Sequence, residues 1–238
     1  MTTLTLYRYP TRHLLWALAQ MKLAHKPLDQ APGLIFHKLM GSGGNGGFGI
    51  WPNWHVYALL AQWESEESWH QFNAANTFAR STQRRCSEQM TVCMQPIRTH
   101  GKWDGMNPFE PLQTQATSPD APVAVLTRAR IRVSKLPSFL RQTKHAKNAL
   151  KDQEGLLLSI GVGETPLLYQ ATFSIWQNAE AIQQYAYRTP AHAKVVRQTQ
   201  EKQWYLEEMF TRFHILGCTG TWQGLSSSAD LVAFGSIK

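Results

Sequence analysis

Nine histidines occur in this chain of 238 residues, and His192 has the surroundings best suited to a metal ligand. Val195, Val196 and Thr199 follow it at spacings of three, four and seven, which sets the imidazole on a mostly apolar helical stripe. A neutral imidazole on such a wall is what a haem iron takes as an axial ligand. A histidine in the first turn of a helix that hydrogen-bonds backbone or solvent would show the same spacing, so both readings stay open. His145, between Lys144 and Lys147, reads more simply as part of a solvated helix face and is the second candidate. His55 alternates with Tyr57 and Leu59, and His37 with Ile35 and Leu39, so each lines a pocket or lies under a helix.

Two strand faces add polar groups. Arg128 and Arg130 share a face with Ala124 and Leu126, opposite the smoother Val123, Val125, Thr127, Ala129 and Ile131. An arginine bordering a pocket could pair with a haem propionate or steady an oxygen-derived anion; at a rim it would simply be solvated. Gln170 stands with Leu168, Thr172 and Ser174, a row suited either to orienting bound oxygen or to facing water. Gly41-Ser42-Gly43-Gly44-Asn45-Gly46-Gly47-Phe48-Gly49 lacks the Lys-Ser/Thr ending and the following helix of a phosphate loop, so it reads as a hairpin connection or a lid. No Ser-His-Asp spacing, HExxH or close carboxylate pair is present, which directs an enzymatic reading toward a borrowed cofactor.

The elements that must position these residues come in two similar sets. Trp63-Glu64-Ser65-Glu66 resembles Trp176-Gln177-Asn178-Ala179, and His100-Gly101-Lys102-Trp103-Asp104-Gly105 resembles Thr219-Gly220-Thr221-Trp222-Gln223-Gly224, at offsets of 113 and 119 residues. The first set reads as strand 4–9, helix 12–25, strands 34–39 and 54–63, helix 66–84 and strand 90–97. The second reads as strand 123–133, helix 138–150, strands 156–162 and 168–176, a helical region 179–203 and strand 213–218. Ala179, Ile182, Gln183 and Ala186 mark a buried helical stripe, and Thr189-Pro190 marks a break and restart just before His192. The expected fold is therefore α+β, with tandem ferredoxin-like βαββαβ repeats forming a dimeric α+β barrel-like architecture within one chain. The repeats are assigned to residues 1–103 and 123–224, joined by a proline-rich linker at 104–122 and followed by a tail at 225–238, with the haem site in the second repeat and the cavity between sheet and helices.

A chain that is 43% hydrophobic can bury a substantial core. Lys and Arg exceed Asp and Glu by 24 to 16, giving a net charge of +8 that favours anionic partners. Nucleic acid is not expected, because the basic residues are scattered and Arg84-Arg85 is the only tight cluster. An anionic membrane surface or the carboxylates of haem suit the charge better. Cys86, Cys93 and Cys218 form neither a disulfide framework nor a zinc spacing. The opening Met1-Thr2-Thr3-Leu4-Thr5-Leu6-Tyr7 lacks a signal-peptide pattern and no run approaches 18 uncharged apolar residues, so the expected location is cytoplasmic, soluble or peripheral to the membrane.

Several strings together resemble the spheroidene monooxygenase family of carotenoid biosynthesis. They are Pro52-Asn53-Trp54-His55-Val56, Gly101-Lys102-Trp103-Asp104-Gly105 with Pro108-Phe109-Glu110-Pro111, Leu126-Thr127-Arg128-Ala129, Ile160-Gly161-Val162-Gly163-Glu164 with Pro166, and Gln170 through Trp176. Trp204, Glu207-Glu208, Arg212-Phe213 and Gly220-Thr221-Trp222 complete a pattern that spans nearly the whole chain. The resemblance implies a monooxygenase that uses haem b, molecular oxygen and an electron donor such as ferredoxin to oxidise an acyclic carotenoid beside its terminal methoxy group. A looser resemblance to haem-degrading monooxygenases of the dimeric α+β barrel fold implies an iron-binding histidine where His192 falls; on the residues alone, His145 is the next candidate and Arg128 and Gln170 are the candidate pocket groups. The Ser226-Ser227-Ser228 tail and the glycine content of the loop at 41–49 depart from the pattern. Competing readings are a haem-binding or haem-processing protein without a carotenoid substrate, and a cofactor-free barrel that binds a small apolar molecule. The sequence is compatible with an oligomer in each case.

Overall fold

Alternating apolar residues at Leu4, Leu6, Val56, Ala58, Leu60, Leu158, Ile160, Phe173 and Ile175 give strands that bury one face together, and the strands close that face into a barrel. The computed structural model describes residues 1–44, 46, 51–109, 118–141, 153–165, 167–188, 202–223 and 225–226. Its strands are β1 (Thr2–Arg8), β2 (Leu34–Gly43), β3 (Pro52–Trp63), β4 (Glu88–Gly101), β5 (Val123–Ile131), β6 (Leu156–Thr165), β7 (Tyr169–Trp176), β8 (Tyr205–Trp222) and the short β9 (Leu225–Ser226). The first eight run β4-β1-β3-β2-β6-β7-β5-β8, and β8 pairs back onto β4. Every pairing is antiparallel. Within each half the strands lie in the order fourth, first, third, second.

The two seams between the halves differ. β4 and β8 pair from Met90↔Gly220 to Gly101↔Met209, which makes both strands longer than the runs 90–97 and 213–218 expected from apolar alternation alone. β2 meets β6 through Gly41↔Gly163 and Ser42↔Val162, and the Ser42 hydroxyl donates to the Gly161 carbonyl across that seam at 2.8 Å.

Helices α1 (Leu14–Leu23), α2 (His25–Asp29), α3 (Glu66–Ala75) and α4 (Thr77–Gln83) cover the outside of the first half. Their inner side chains, Ala17, Leu28, Phe72 and Phe78, pack on Tyr7, Leu39, Tyr57, Leu59 and Trp63. The helix expected over 66–84 is two helices, because Asn76 is extended (φ −66°, ψ 133°) and its carbonyl oxygen Oδ1 caps the next helix by accepting from Phe78 N at 2.9 Å. Over the second half, α5 (136–141) and α6 (Ala179–Arg188) bury Phe139 and Ile182. No helix among the described residues is long and apolar enough to cross a membrane.

The ends of β4 and β8 carry the two echoed tryptophans, Trp103 in the turn just past β4 and Trp222 as the last residue of β8 before its turn. Gly101 (φ +90°) and Gly220 (φ +85°) precede them by two residues, and a Cβ at either would lie 2.1 Å from a backbone oxygen, of Glu208 and of Gln89 respectively. Only glycine fits that conformation and that approach. Because β4 and β8 are antiparallel, these strand ends fall at opposite ends of the barrel, and each delivers a fully buried Trp103 or Trp222 into the common core. Phe109, farther along the first turn, is buried there too.

Candidate active site

Register exposes an asymmetry between the halves that decides where a ligand can sit. On the outer face of the first half, Leu39 pairs with Leu59 and Tyr7 with Tyr57. At the matching register of the second half stand Gly161 with Thr172 and Ala129 with Gln170. Bulky side chains that fill the sheet-helix layer of one half are therefore replaced by small ones in the other.

A cavity of about 300 Å³ occupies this region, outside the barrel and over the β2–β6 seam. Leu18 and Met21 of α1, Trp51 and Trp54 beside the β2–β3 turn, and Leu140 of α5 border it with apolar surface. Gly161, Gly163, Gln170 and Thr172 form the sheet side. This is the size and character of a site for an apolar small molecule held by a few polar groups. Glycine at 41 and 43, in the run read as a hairpin or lid, also borders the cavity.

Two polar side chains in the wall differ in state. Gln170 Nε2 donates to the Leu167 carbonyl at 2.9 Å, so its position is fixed by the turn before β7. Tyr57 is buried, and its hydroxyl has no hydrogen-bond partner among the described residues. Burial raises the Tyr57 pKa, so it stays protonated and is an unspent donor in the cavity wall. Tyr57 drew attention in the sequence only as a neighbour of His55; comparing the two halves at equal register is the signal that isolates it.

Arg128 lies on the opposite face of its strand, inside the barrel, where the matching residue of the first half is Leu6. It is 1% exposed, hydrogen-bonded to Glu207, 3.5 Å from Asp104 and 3.8 Å from Glu164. Its guanidinium stands over the rings of Trp103 (5.1 Å) and Tyr169 (5.5 Å). Lys38, which pairs with Asp104 and Glu164, completes this cluster. Burial opposes the Lys38 charge, but the hydrogen bond to Asp104 and the nearby Glu164 outweigh it and raise its pKa. Glu207 is pushed up by burial and then held below its ordinary value by the N–H groups of Gly105 and Asp104 and by Arg128. Glu164 and Tyr169 also border the cavity, so Arg128 is one contact behind its wall. Arg130 is exposed and stacks on Tyr169 at 5.3 Å.

Of the histidines weighed as ligands, His192 and His145 lie outside the described residues. His55 Nδ1 donates to the Tyr9 carbonyl at 2.8 Å, and His37 contacts His25 at 3.4 Å and Asp29 at 3.7 Å. Neither borders the cavity. The structure thus brings Gln170 to the cavity and sets Arg128 behind it.

A closed antiparallel barrel with external helices and an apolar cavity at the sheet-helix layer defines the class as an α+β barrel. Aldoxime dehydratase in complex with butyraldoxime shares it at a TM-score of 0.54 and 13% identity, over 90% of this chain and 78% of that one, a likeness of fold. No family model matches the chain. Spheroidene monooxygenase of Rhodobacter capsulatus is 35% identical over 231 residues, 97% of this chain and 96% of that protein. The same enzyme of Cereibacter sphaeroides is 34% identical over 93% of this chain and 68% of its own length. The chain belongs to the spheroidene monooxygenase family, and so to the oxidoreductases of monooxygenase type.

Proposed function

We propose that this chain is a haem-dependent monooxygenase that oxidises an acyclic carotenoid bound in the cavity over the β2–β6 seam. The observation that carries the reading is the cavity itself: apolar walls from Leu18, Met21, Trp51, Trp54 and Leu140, with Glu164, Gln170, Thr172 and a Tyr57 hydroxyl unpartnered among the described residues as its few polar groups. The oxygen-bearing end of a long unsaturated hydrocarbon matches that distribution. The relatives are named for spheroidene, and the carotenoid class is carried over from them.

Haem b, when bound, would supply the activation of molecular oxygen that no side chain offers. The described residues fit a flat group on the sheet side, since Gly161 and Thr172 leave a wall that Leu39 and Leu59 fill in the other half. His192 is the proposed iron ligand, with His145 as the next candidate. The protein's own task is to hold the substrate end, exclude water and orient the oxygen with Gln170 and Tyr57. One oxygen atom enters the substrate and the other leaves as water, with two electrons drawn from a donor such as ferredoxin. The duplicated strand order and the matched glycine turns support the further proposal that residues 1–103 and 123–224 are copies of one ferredoxin-like unit joined through 104–122.

The test is the absorption spectrum and pyridine haemochrome content of protein expressed with haem precursor, for the native chain and His192→Ala. A Soret band in the native chain that is lost in the variant is expected. A band in both moves the ligand to another residue. Folded, haem-supplied protein without a band overturns haem dependence and leaves a cofactor-free binder, while haem without carotenoid oxidation points to a haem-processing protein.

A further inference from the structure

The cavity opens among side chains that a water-facing surface does not need. Leu15 and Leu18 of α1 are 85% and 45% exposed, and Trp51 and Trp54 are 78% and 50% exposed. Leu18, Trp51 and Trp54 all border the cavity, and Leu15 lies one helical turn before Leu18. These four therefore form one apolar rim rather than scattered exposed residues. Basic side chains predominate along α1 beside it, with Asp29 at the end of α2 and Glu164 in the cavity wall as the nearby acids. Lys22 is the only charged residue within α1, and Arg12 and Lys26 stand exposed just beyond its two ends.

We infer that this rim docks on an anionic lipid bilayer, with Leu15 and Leu18 inserted at the level of the acyl chains, Trp51 and Trp54 at the headgroup boundary, and Arg12, Lys22 and Lys26 against lipid phosphates. Exposed leucines flanked by basic side chains sit at the boundary of an anionic bilayer in this manner, and tryptophan prefers the same depth. Lysine and arginine stems reach upward to the headgroups while their methylenes remain in contact with the apolar layer. A second copy of the chain fits the rim less well, because a two-fold contact would set the same basic residues against each other. The cavity mouth faces the bilayer in this arrangement, so an apolar molecule enters it from lipid without crossing water. Docking stands on the surface alone; the route for substrate rests on the function proposed above.

Flotation of the full holoprotein with vesicles of equal parts phosphatidylglycerol and phosphatidylcholine tests the docking. The native chain floats with these vesicles, floats poorly with phosphatidylcholine alone, and Leu15→Glu reduces the bound fraction by about tenfold or more. Leu15 is outside the cavity wall, so Leu15→Glu keeps its thermal midpoint and its turnover of detergent-dispersed carotenoid while losing turnover on vesicle-held carotenoid. A native chain that stays unbound, or a Leu15→Glu variant that floats like the native chain, overturns the docking. So does a native dimer in sedimentation that Leu15→Glu converts to monomer, which would assign the rim to self-association. A native chain that turns carotenoid over without floating overturns the docking and leaves the reaction standing; a native chain that floats but turns no carotenoid over supports the docking and overturns the reaction.

Discussion

Replacing Arg128 by leucine restores the residue type that the first half carries at the same register, yet the expected effect is a large loss of stability. Leu6 is surrounded by apolar side chains, whereas Arg128 stands among Glu207, Asp104 and Glu164. Arg128→Leu leaves those three carboxylates with Lys38 as the one cation paired to any of them among the described residues. Removing one partner of a buried ion pair costs about 3–5 kcal/mol. Asp104 is 45% exposed and Glu207 18%, so solvent relieves part of that, and about 2–4 kcal/mol at pH 7 is expected. For a chain of this size that lowers the melting temperature by roughly 5–15 °C. Urea unfolding of Arg128→Leu, Glu207→Gln and the double variant measures it, with the double variant recovering about 1–3 kcal/mol relative to additivity. The pH dependence has a fixed sign. The Glu207 carboxyl is depressed in the fold, so its contribution is complete above its ordinary value of 4.5 and is lost as pH falls through the lower folded value. The gap between native and variant therefore narrows in acid. A loss below about 1 kcal/mol, or strict additivity of the pair, refutes the description of this cluster as a coupled buried network.

Tyr57→Phe removes a buried hydroxyl without a partner among the described residues, so the unliganded protein gains up to about 1 kcal/mol in unfolding experiments while ligand affinity falls by about tenfold in titration; a fall in both contradicts the assignment of an unpaired donor. Gly101→Ala and Gly220→Ala each lower stability by more than about 2 kcal/mol, because both residues have positive φ and no space for a Cβ, and native-like urea midpoints would contradict the turn geometry. Burial pushes Cys93 to about 11 and Cys218 to about 12. At pH 8 Cys93 should react with Ellman's reagent roughly a hundredfold, and Cys218 roughly a thousandfold, more slowly than free cysteine in the folded protein, and both normally in urea.

Much of the barrel is written in local patterns, and much of the site is not. Period-two alternation marks β1, β3, β5 and β7 because each buries one face against the common core. The extra length of β4 and β8 comes from pairing between residues 108 to 130 apart in the chain, which no local window contains. Arg128 was visible, with Arg130, on a partly polar strand face, but its partners arrive from the turn at Asp104, from β6 and from β8, and only closure of the barrel brings them together. Gln170 could be read as either a lining or a solvated residue from its strand alone; the cavity beside Gly161 and Gly163 distinguishes the two. Tyr57 looks like ordinary core in sequence, since nothing local shows whether a buried hydroxyl finds an acceptor. The helix break at Asn76 has a local signal, an asparagine two residues before Phe78, that the apolar spacing of Phe72 and Phe78 obscures.

The measurement that bears most directly on the proposed function is the fate of molecular oxygen in a reaction with acyclic carotenoid under isotopically heavy O₂, comparing the native holoprotein with Gly161→Leu. At this position leucine reproduces the Leu39 register of the filled half and closes the cavity from its sheet side. The account predicts heavy oxygen in the carotenoid product of the native chain, and turnover reduced by about a hundredfold or more in a variant whose fold is unchanged. Product oxygen drawn from water, or a filled cavity that leaves turnover at the native rate, would contradict it.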